Sequence, residues 1–307
     1  MRFSQQDHSS IQSLPPEIEV LKHISVVVLS LNRLQDLELT IQTLRSPGDC
    51  WKEIIVCDNG STDGTQAWLR NNHPSIKLIE TSDNQGISGL NKGYAAAQGE
   101  WILTLDDDSA PRLETWDGLA RIILSGVEAD SISLSVVRNT RVQMRVTKSS
   151  SLCEAGTFHH AGSLLRTETV QRIGGLDPEL FFWGAELHWS ARAIAHGCNL
   201  LHCPDAQVAH LSSQTNRIDQ RHAFYHCRNL LLLALRFAPE ESWKHLVKQR
   251  VRDILVYTIL QRTTLYLRAM NEAKKLWHAH PEKVFRLKEK QFAQLSIDWM
   301  APFSFLD

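Results

Sequence analysis

The chain is 307 residues long, 43% hydrophobic and 22% charged, with a formal net charge of -1 at pH 7. That length suffices for one large domain with an appended helical part, and the composition excludes a globally disordered chain. The near-neutral charge excludes wholesale nucleic-acid binding, so no nucleic-acid partner is expected and any basic surface must be local.

Residues 1–22 are polar, carry Pro15 and Pro16, and read as an N-terminal extension. Ile24 to Leu31 is dense in β-branched residues and stops at Asn32 and Arg33, the composition of a central parallel strand. Leu34, Leu37, Ile41 and Leu44 then recur at helical spacing, and Pro47 with Gly48 closes the helix. A second strand, Glu53 to Cys57, ends at Asp58, and Gly60, Ser61 and Asp63 supply turn and cap chemistry for the helix through Ala67 and Leu69. Ile76 to Glu80 is a third strand. Gly86 and Gly89 lead into an alanine-rich helix that Gly99 terminates.

The fourth strand, Trp101 to Leu105, ends abruptly in Asp106, Asp107 and Asp108. Three adjacent carboxylates repel one another unless a cation sits among them, and a hard divalent ion takes such oxygen ligands. A solvated acidic junction would read the same way. The order strand, helix, strand, helix, strand, helix, strand implies a doubly wound α/β sheet with right-handed crossovers. Ligands bind such sheets outside the carboxyl ends of the strands, where Asn32, Asp58 and Asp106 to Asp108 all stand.

After Pro111 the pattern gives a helix, Leu113 to Leu124, and a fifth strand, Ser131 to Val137. Arg138 to Ser151 is polar and basic, a loop or hairpin. FHHAGSLLR reads as a strand, and Cys198 to His210 as a short strand that returns at PDAQVAH. SSQTNRIDQRH has the composition of a flap, and from Ala223 the pattern is helical.

The pieces VVVLSLNR, VCDNGSTDGT, NQGISGLNKGYAAAQGEWILTLDDDS, FHHAGSLLRTETVQRIGGLDPELFFWGAE and PDAQVAHLSS, in this order between Ile24 and Asn229, resemble the family 2 glycosyltransferases of GT-A fold. The resemblance implies a Rossmann-like, doubly wound mixed sheet with a C-terminal α-helical extension: residues 1–22 as the extension, 23–222 as the GT-A domain (donor half 23–138, acceptor half 139–222) and 223–307 as the helical region. A generic dinucleotide-binding domain would show G-x-G-x-x-G after its first strand, and none is there.

By the same resemblance, Asp58 contacts the donor base or ribose, Asn32 and Arg33 line that pocket, and Lys92 lies on the helix facing the pyrophosphate. Asp106 and Asp108 match an Asp-x-Asp pattern. Alternation puts both on one side of an extended chain, Asp106 for the ribose and Asp108 for Mn²⁺ or Mg²⁺, while Asp107 points elsewhere along the donor side. His210 is a second candidate for the metal or diphosphate. Arg217 or Arg221 in the flap closes on the diphosphate and excludes water. His159, His160 and Gly162 belong to the acceptor side, with Phe182 and Trp183 as aromatic faces for a sugar. The general base is Glu186, with His188 as the alternative. Their spacing with Trp189 and Arg192 is similar to the D-x-E-W-x-x-R pattern of rhamnosyltransferase-like members, and Arg192 would brace the carboxylate or the donor phosphate.

The implied activity is inverting, metal-dependent transfer from a UDP- or dTDP-linked sugar to a hydroxyl of a saccharide or lipid-linked acceptor, in polysaccharide or glycoconjugate assembly. Two other readings stay open: a catalytically weak nucleotide-sugar-binding protein, because Leu187 and His188 alter the acidic motif, and a sugar nucleotidyltransferase. The six cysteines, Cys50, Cys57, Cys153, Cys198, Cys203 and Cys227, form no C-x-x-C pair, as expected of reduced thiols in a cytoplasmic protein. No signal-peptide core and no run of about 18 apolar residues is evident. Residues Glu241 to Gln294 are periodic, apolar and rich in Lys and Arg. They read either as helices packing on the core or on a second subunit, or as a peripheral foot on the inner face of a membrane.

Overall fold

A computed structural model describes residues 19–46, 48, 50–111, 113–138, 152–211 and 219–295. Most of the expected N-terminal extension, the basic stretch over 139–151 and the flap residues 212–218, Arg217 among them, lie outside the described residues. The elements in chain order are β1 (Ile24–Ser30), α1 (Leu34–Arg45), β2 (Glu53–Asp58), α2 (Thr65–Asn72), β3 (Lys77–Glu80), α3 (Leu90–Ala96) and β4 (Trp101–Asp106). They continue with β5 (Ser109–Pro111), α4 (Leu113–Leu124), β6 (Ser131–Arg138), β7 (Cys153–Glu154), β8 (Ser163–Arg166) and α5 (Thr167–Ile173). The last are α6 (Ala185–Ala195), β9 (Leu200–His210), α7 (Asp219–Phe237), α8 (Trp243–Leu260), α9 (Leu265–Ala279) and α10 (Glu289–Gln294).

Among the described residues the strands form one mixed sheet in the order β3-β2-β1-β4-β8-β6-β9-β5, with β7 on β9. β1 is parallel to β2 and β4, which explains its unbroken apolar run: a strand with neighbours on both edges and layers on both faces meets no water. Its side chains alternate between two cores. Val27 joins Ile55, Ile102, Tyr94 and Leu165 on one face, while Val26 and Val28 join Leu37, Ile41, Leu44, Leu103 and Trp116 on the other. In α1 the buried residues Leu37, Thr40, Ile41 and Leu44 form one stripe, and each apolar member contributes about 1.5–3 kcal/mol by leaving water. Gly99 is required where the chain enters β4, because a Cβ there would lie 2.5 Å from the Ser25 nitrogen and 2.7 Å from the His23 carbonyl oxygen.

Two expectations differ from the structure. Within FHHAGSLLR only Ser163–Arg166 is strand; His159 and His160 lie in a turn closed by the Gly162 N–H donating to the His159 carbonyl at 3.1 Å. β9 is not short but eleven residues long, bent where its register against β6 shifts between Leu134 and Ser135. Its far half reaches β5, a three-residue strand too brief to leave a period in the sequence.

The helices α7, α8 and α9 pack together against α6 and the first core. An ion-pair network fixes α7 to the segment before α6. Arg236, 1% exposed, pairs with Asp177 at 2.9 Å and Glu179 at 2.8 Å; Lys283 reaches both carboxylates at 3.1 Å, and His280 reaches Glu179 at 2.6 Å. Burial would raise the Asp177 pKa, but Lys283, the Glu179 N–H and Arg236 outweigh it and hold the carboxyl below its ordinary 3.8. Removing one partner of a buried pair leaves charge uncompensated. Arg236→Leu is therefore expected to destabilise the fold by about 3 kcal/mol in urea unfolding, and a change under 0.5 kcal/mol would contradict this packing role. The carboxylate's contribution is complete above pH 3.8 and is lost as pH falls through the lower folded-state value.

Candidate active site

From β1 the chain winds outward to β2 and β3, then returns to place β4 on the other edge of β1. This reversal opens a crevice at the carboxyl ends of β1 and β4. Leu29 faces Asp106 in register and Ser30 faces Asp58, so the two acidic strand ends stand at the same level.

On the β2 side Asp58 is fully buried. Its Oδ2 accepts from the Ser61 N–H at 3.0 Å and from Gln66 Nε2 at 2.7 Å, whereas Oδ1 is buried with no hydrogen-bond partner among the described residues. A buried acceptor in that condition is costly unless a ligand donates to it. The adjoining loop is rigid by construction. Asn32, in the left-handed region at φ 54, accepts from the Thr62 N–H at 2.7 Å and donates its own N–H to Ser61 Oγ at 2.9 Å. Asp63 accepts from the Leu34 N–H at 3.0 Å and from Thr65 Oγ1 at 2.6 Å, tying the start of α1 to the start of α2.

At the end of β4 the aspartates separate. Asp107 turns toward β1, accepting from Arg33 Nη1 at 3.0 Å and the Leu31 N–H at 3.3 Å, and burial pushes its pKa up to about 7 against the pull of Arg33. Asp106 and Asp108 instead face His210, whose Nε2 lies 3.5 Å from Asp106 Oδ2 and 3.0 Å from Asp108 Oδ1. Arg33 also reaches Asp108 Oδ2 at 2.9 Å. β5 and β9 set this geometry by pairing Ser109 with His210, and the Leu211 N–H donates to the Asp108 carbonyl at 2.9 Å. Hydrogen bonds that His210 donates to both carboxylates hold its pKa up at about 9. Asp106 and Asp108 stay below the usual carboxylate range although burial opposes it, through His160 and His210 for the first and chiefly His210 for the second. Asp106, Asp108 and His210 each offer one ligand atom, all within 4.8 Å of one another. Two carboxylate oxygens and an imidazole nitrogen suit Mn²⁺ or Mg²⁺ in a site with positions left for phosphate oxygens.

Across the crevice Glu186 sits in the first turn of α6, where the helix dipole favours an anion. His160 bridges it to the aspartates: Nδ1 contacts Glu186 Oε1, and Nε2 lies 3.2 Å from Asp106 Oδ2. Burial opposes charge on both partners, yet Asp106 and Glu186 hold the His160 pKa well above 6.5, and His160 holds Glu186 below 4.5. The link between Glu186 and the acidic cluster therefore runs through a residue expected only to line the acceptor side. Its signal, a histidine before a glycine turn, does not reveal its partners.

Several expected residues stand elsewhere. His188 is 4% exposed, hydrogen-bonds the Asn229 carbonyl through Nε2 at 2.9 Å and packs edge-on against Phe237. Burial drives its pKa down to about 3, so it is a core residue, not the alternative base. Arg192 donates to the carbonyls of Gly174, at 3.1 Å, and Gly175, so it braces that turn rather than a carboxylate or phosphate. On an α-helix a residue six positions on lies about 240° round, which puts Arg192 with His188 and away from Glu186. At Gly162 a Cβ would lie 3.1 Å from Val208 and 3.5 Å from Val136 of the sheet, so the glycine serves strand packing there. Lys92 is exposed on α3, where its charge is felt by the buried Cys57 thiol. His159, by contrast, stays beside the site: it is exposed, its N–H is on Ser163 Oγ at 3.0 Å, and its charge bears on Glu186.

The aromatic group packs on the first turns of α7. Phe181 stacks on Tyr225 at 5.4 Å with Arg221 over its outer face at 4.8 Å, Phe182 is 37% exposed beside His222, and the Trp183 ring lies 3.6 Å from His226. Arg228 and Asn229 hold this loop. Arg228 Nη2 donates to the Glu179 and Leu180 carbonyls at 2.6 and 2.9 Å, and Asn229 Nδ2 to those of Leu180 and Trp183 at 3.0 and 2.5 Å.

Residues 25–158 match the family model described as Glycosyl transferase family 2. A stretch of 100 residues is 31% identical to the succinoglycan biosynthesis protein ExoO of Rhizobium meliloti, covering 32% of this chain and only 29% of that protein. Glycosyltransferase AglE of Haloferax volcanii is 22% identical over 211 residues, 62% of this chain and 67% of its own. Among solved structures, mannosyltransferase PcManGT from Pyrobaculum calidifontis, in complex with GDP-Man and Mn²⁺, has a TM-score of 0.54 at 18% identity over 92% of this chain and 81% of its own. S. aureus TarS 1-349 in complex with UDP has a TM-score of 0.52 at 18% identity, covering 69% and 65%. At these identities the structural likeness is one of fold, the GT-A fold with C-terminal helices.

The neutral core position of His188 has a pH signature. Its folded-state value of about 3 lies below the ordinary 6.5, so the unfolded chain binds the extra proton and stability rises with pH between the two. His188→Gln is expected to flatten the pH 3 to 6.5 limb of stability measured by urea unfolding. An unchanged limb would show that His188 titrates normally.

Proposed function

We propose that this chain, which carries a glycosyltransferase family 2 domain on a GT-A fold, moves a sugar from a nucleoside-diphosphate donor to a hydroxyl acceptor with inversion at the anomeric carbon. The observation that carries the reading is the juxtaposition of Asp106, Asp108 and His210, within 4.8 Å of one another, with the Asp58 oxygen, buried and unpartnered among the described residues, on one side and Glu186 on the other. ExoO is named for polysaccharide biosynthesis, and the neighbours bind GDP-Man or UDP; both support a nucleotide-sugar donor, UDP- or dTDP-linked in our reading, and a saccharide or lipid-linked acceptor.

Asp58 Oδ1 accepts a hydrogen bond from the nucleoside, with Asn32 fixing the loop beneath it. Asp106 accepts from the ribose. Asp108 and His210 would hold a divalent cation, which when bound neutralises the diphosphate as it leaves. His210 must give up its proton to serve as a ligand, so cation affinity rises with pH toward about 9. Arg33 holds Asp107 and Asp108 in place, and Arg221 at the mouth offers a further cation to the phosphates. Glu186 is ionised and partly open, so it takes the proton of the acceptor hydroxyl as that oxygen attacks. His160 fixes its orientation and offsets its charge. Phe182 offers an exposed ring to the acceptor sugar. Six cysteines that form no disulfide among the described residues fit a reducing, cytoplasmic setting.

Transfer from UDP-, dTDP- and GDP-sugars with Mn²⁺ is expected to give product of inverted anomeric configuration by NMR. Glu186→Gln should lower kcat about 10²- to 10⁴-fold while His188→Gln stays within a few-fold. Nucleotide binding without turnover on any donor and acceptor would instead support a binding protein on this fold, and a normal kcat in Glu186→Gln would remove the base.

A further inference from the structure

α8 buries Arg250 and Ile254 on its inner face, yet its opposite face is also apolar. Leu255, Val256, Ile259 and Leu260 are 45%, 46%, 74% and 66% exposed. Their spacing of three and four places them on one stripe along the last two turns. Contiguous large aliphatic side chains of this kind are the usual mark of an interaction surface. The stripe is rimmed by base: Lys248, Arg252, Arg262 and Arg268 are exposed, and the one acid beside them, Asp253, lies 3.7 Å from Arg252. From residue 243 to 275 the sequence has eight Lys and Arg against two Asp and Glu.

The tip also has a defined place relative to the crevice. α8 returns along α7 after a short turn, and Arg250 lies near enough to His226 and Cys227 for its charge to bear on both. Nine further residues at about 1.5 Å each carry Ile259 to the level of the first turns of α7, where His222 and Tyr225 pack on Phe182 and Phe181. No helix among the described residues is long and apolar enough to cross a membrane.

We propose that the tip of the α8–α9 hairpin docks on an anionic lipid bilayer, the aliphatic stripe entering the headgroup region and the arginines meeting lipid phosphates. A basic rim around an apolar centre complements such a surface. It opposes a second copy of itself, because two rims of the same sign would meet. The surface stands without the transfer reading; only its consequence, an acceptor reached from the membrane side of the crevice, rests on that reading.

The test is flotation of the full-length protein with phosphatidylcholine vesicles containing or lacking phosphatidylglycerol. Binding is expected only with the anionic lipid and should fall about tenfold when salt is raised. Ile259→Ser with Leu260→Ser, and separately Arg252→Gln with Arg262→Gln, should each lower partitioning about tenfold while Mn²⁺-dependent UDP binding stays unchanged, which shows the fold intact. Absence of flotation with anionic vesicles, flotation undiminished in both variants, or a dimer in sedimentation that the serine pair dissolves without any vesicle binding would overturn the proposal. Flotation without UDP binding by the wild-type chain would leave the surface standing and remove the transfer reading.

Discussion

Four carboxylates, Asp106, Asp107, Asp108 and Glu186, converge on one crevice, and the structure around it is arranged so that they can coexist. Arg33 arrives from the end of β1, His210 from the end of β9 and His160 from the turn before β8, each from a different part of the sheet. Like charges at this spacing would otherwise protonate or spread apart. The long bent β9, the three-residue β5 and the glycine turn at His160 all deliver a positive group to the end of β4. In the proposed reaction a divalent cation would take over the compensation that His210 supplies in its protonated form.

A second layer of constraint acts on Glu186. Its helix begins at Gly184, in the left-handed region at φ 87, directly after a loop pinned by Arg228 and Asn229. His188 then locks the inner face of the helix to α7 by bonding the Asn229 carbonyl. One buried pair of α7 residues thus holds both the aromatic loop and the start of the helix that carries the carboxylate. Arg236, two turns further along the same face of α7 as Asn229, anchors the segment that leads into that loop. The C-terminal helices are therefore part of the site's scaffold, and the outer face of α8 is what they leave for another partner.

Legibility in the sequence followed burial. β1, β2 and β4 were readable because central parallel strands must be continuously apolar, and their polar stops marked the crevice. Asp106 and Asp108 do face the same histidine, but through the turn between β4 and β5 and not through the alternation of an extended chain. What escaped was whatever depends on long-range pairing. β5 has no period to detect, and β9, expected as a short strand, is longer and bent just before it meets β5. The contact between His160 and Glu186 joins residues far apart in sequence. The reading of His188 failed for a local reason: two positions on an α-helix are about 200° apart, so Glu186 and His188 cannot both face the crevice.

The central claim is that Asp108 and His210, beside Asp106, hold a cation together with a nucleoside diphosphate. Calorimetric titration of UDP into the wild-type chain and Asp108→Asn, each with Mn²⁺ or with chelator, tests it most directly. The account predicts UDP binding that requires Mn²⁺ in the wild-type chain and is lost in Asp108→Asn. UDP affinity that is the same with chelator, or undiminished in Asp108→Asn, would contradict it.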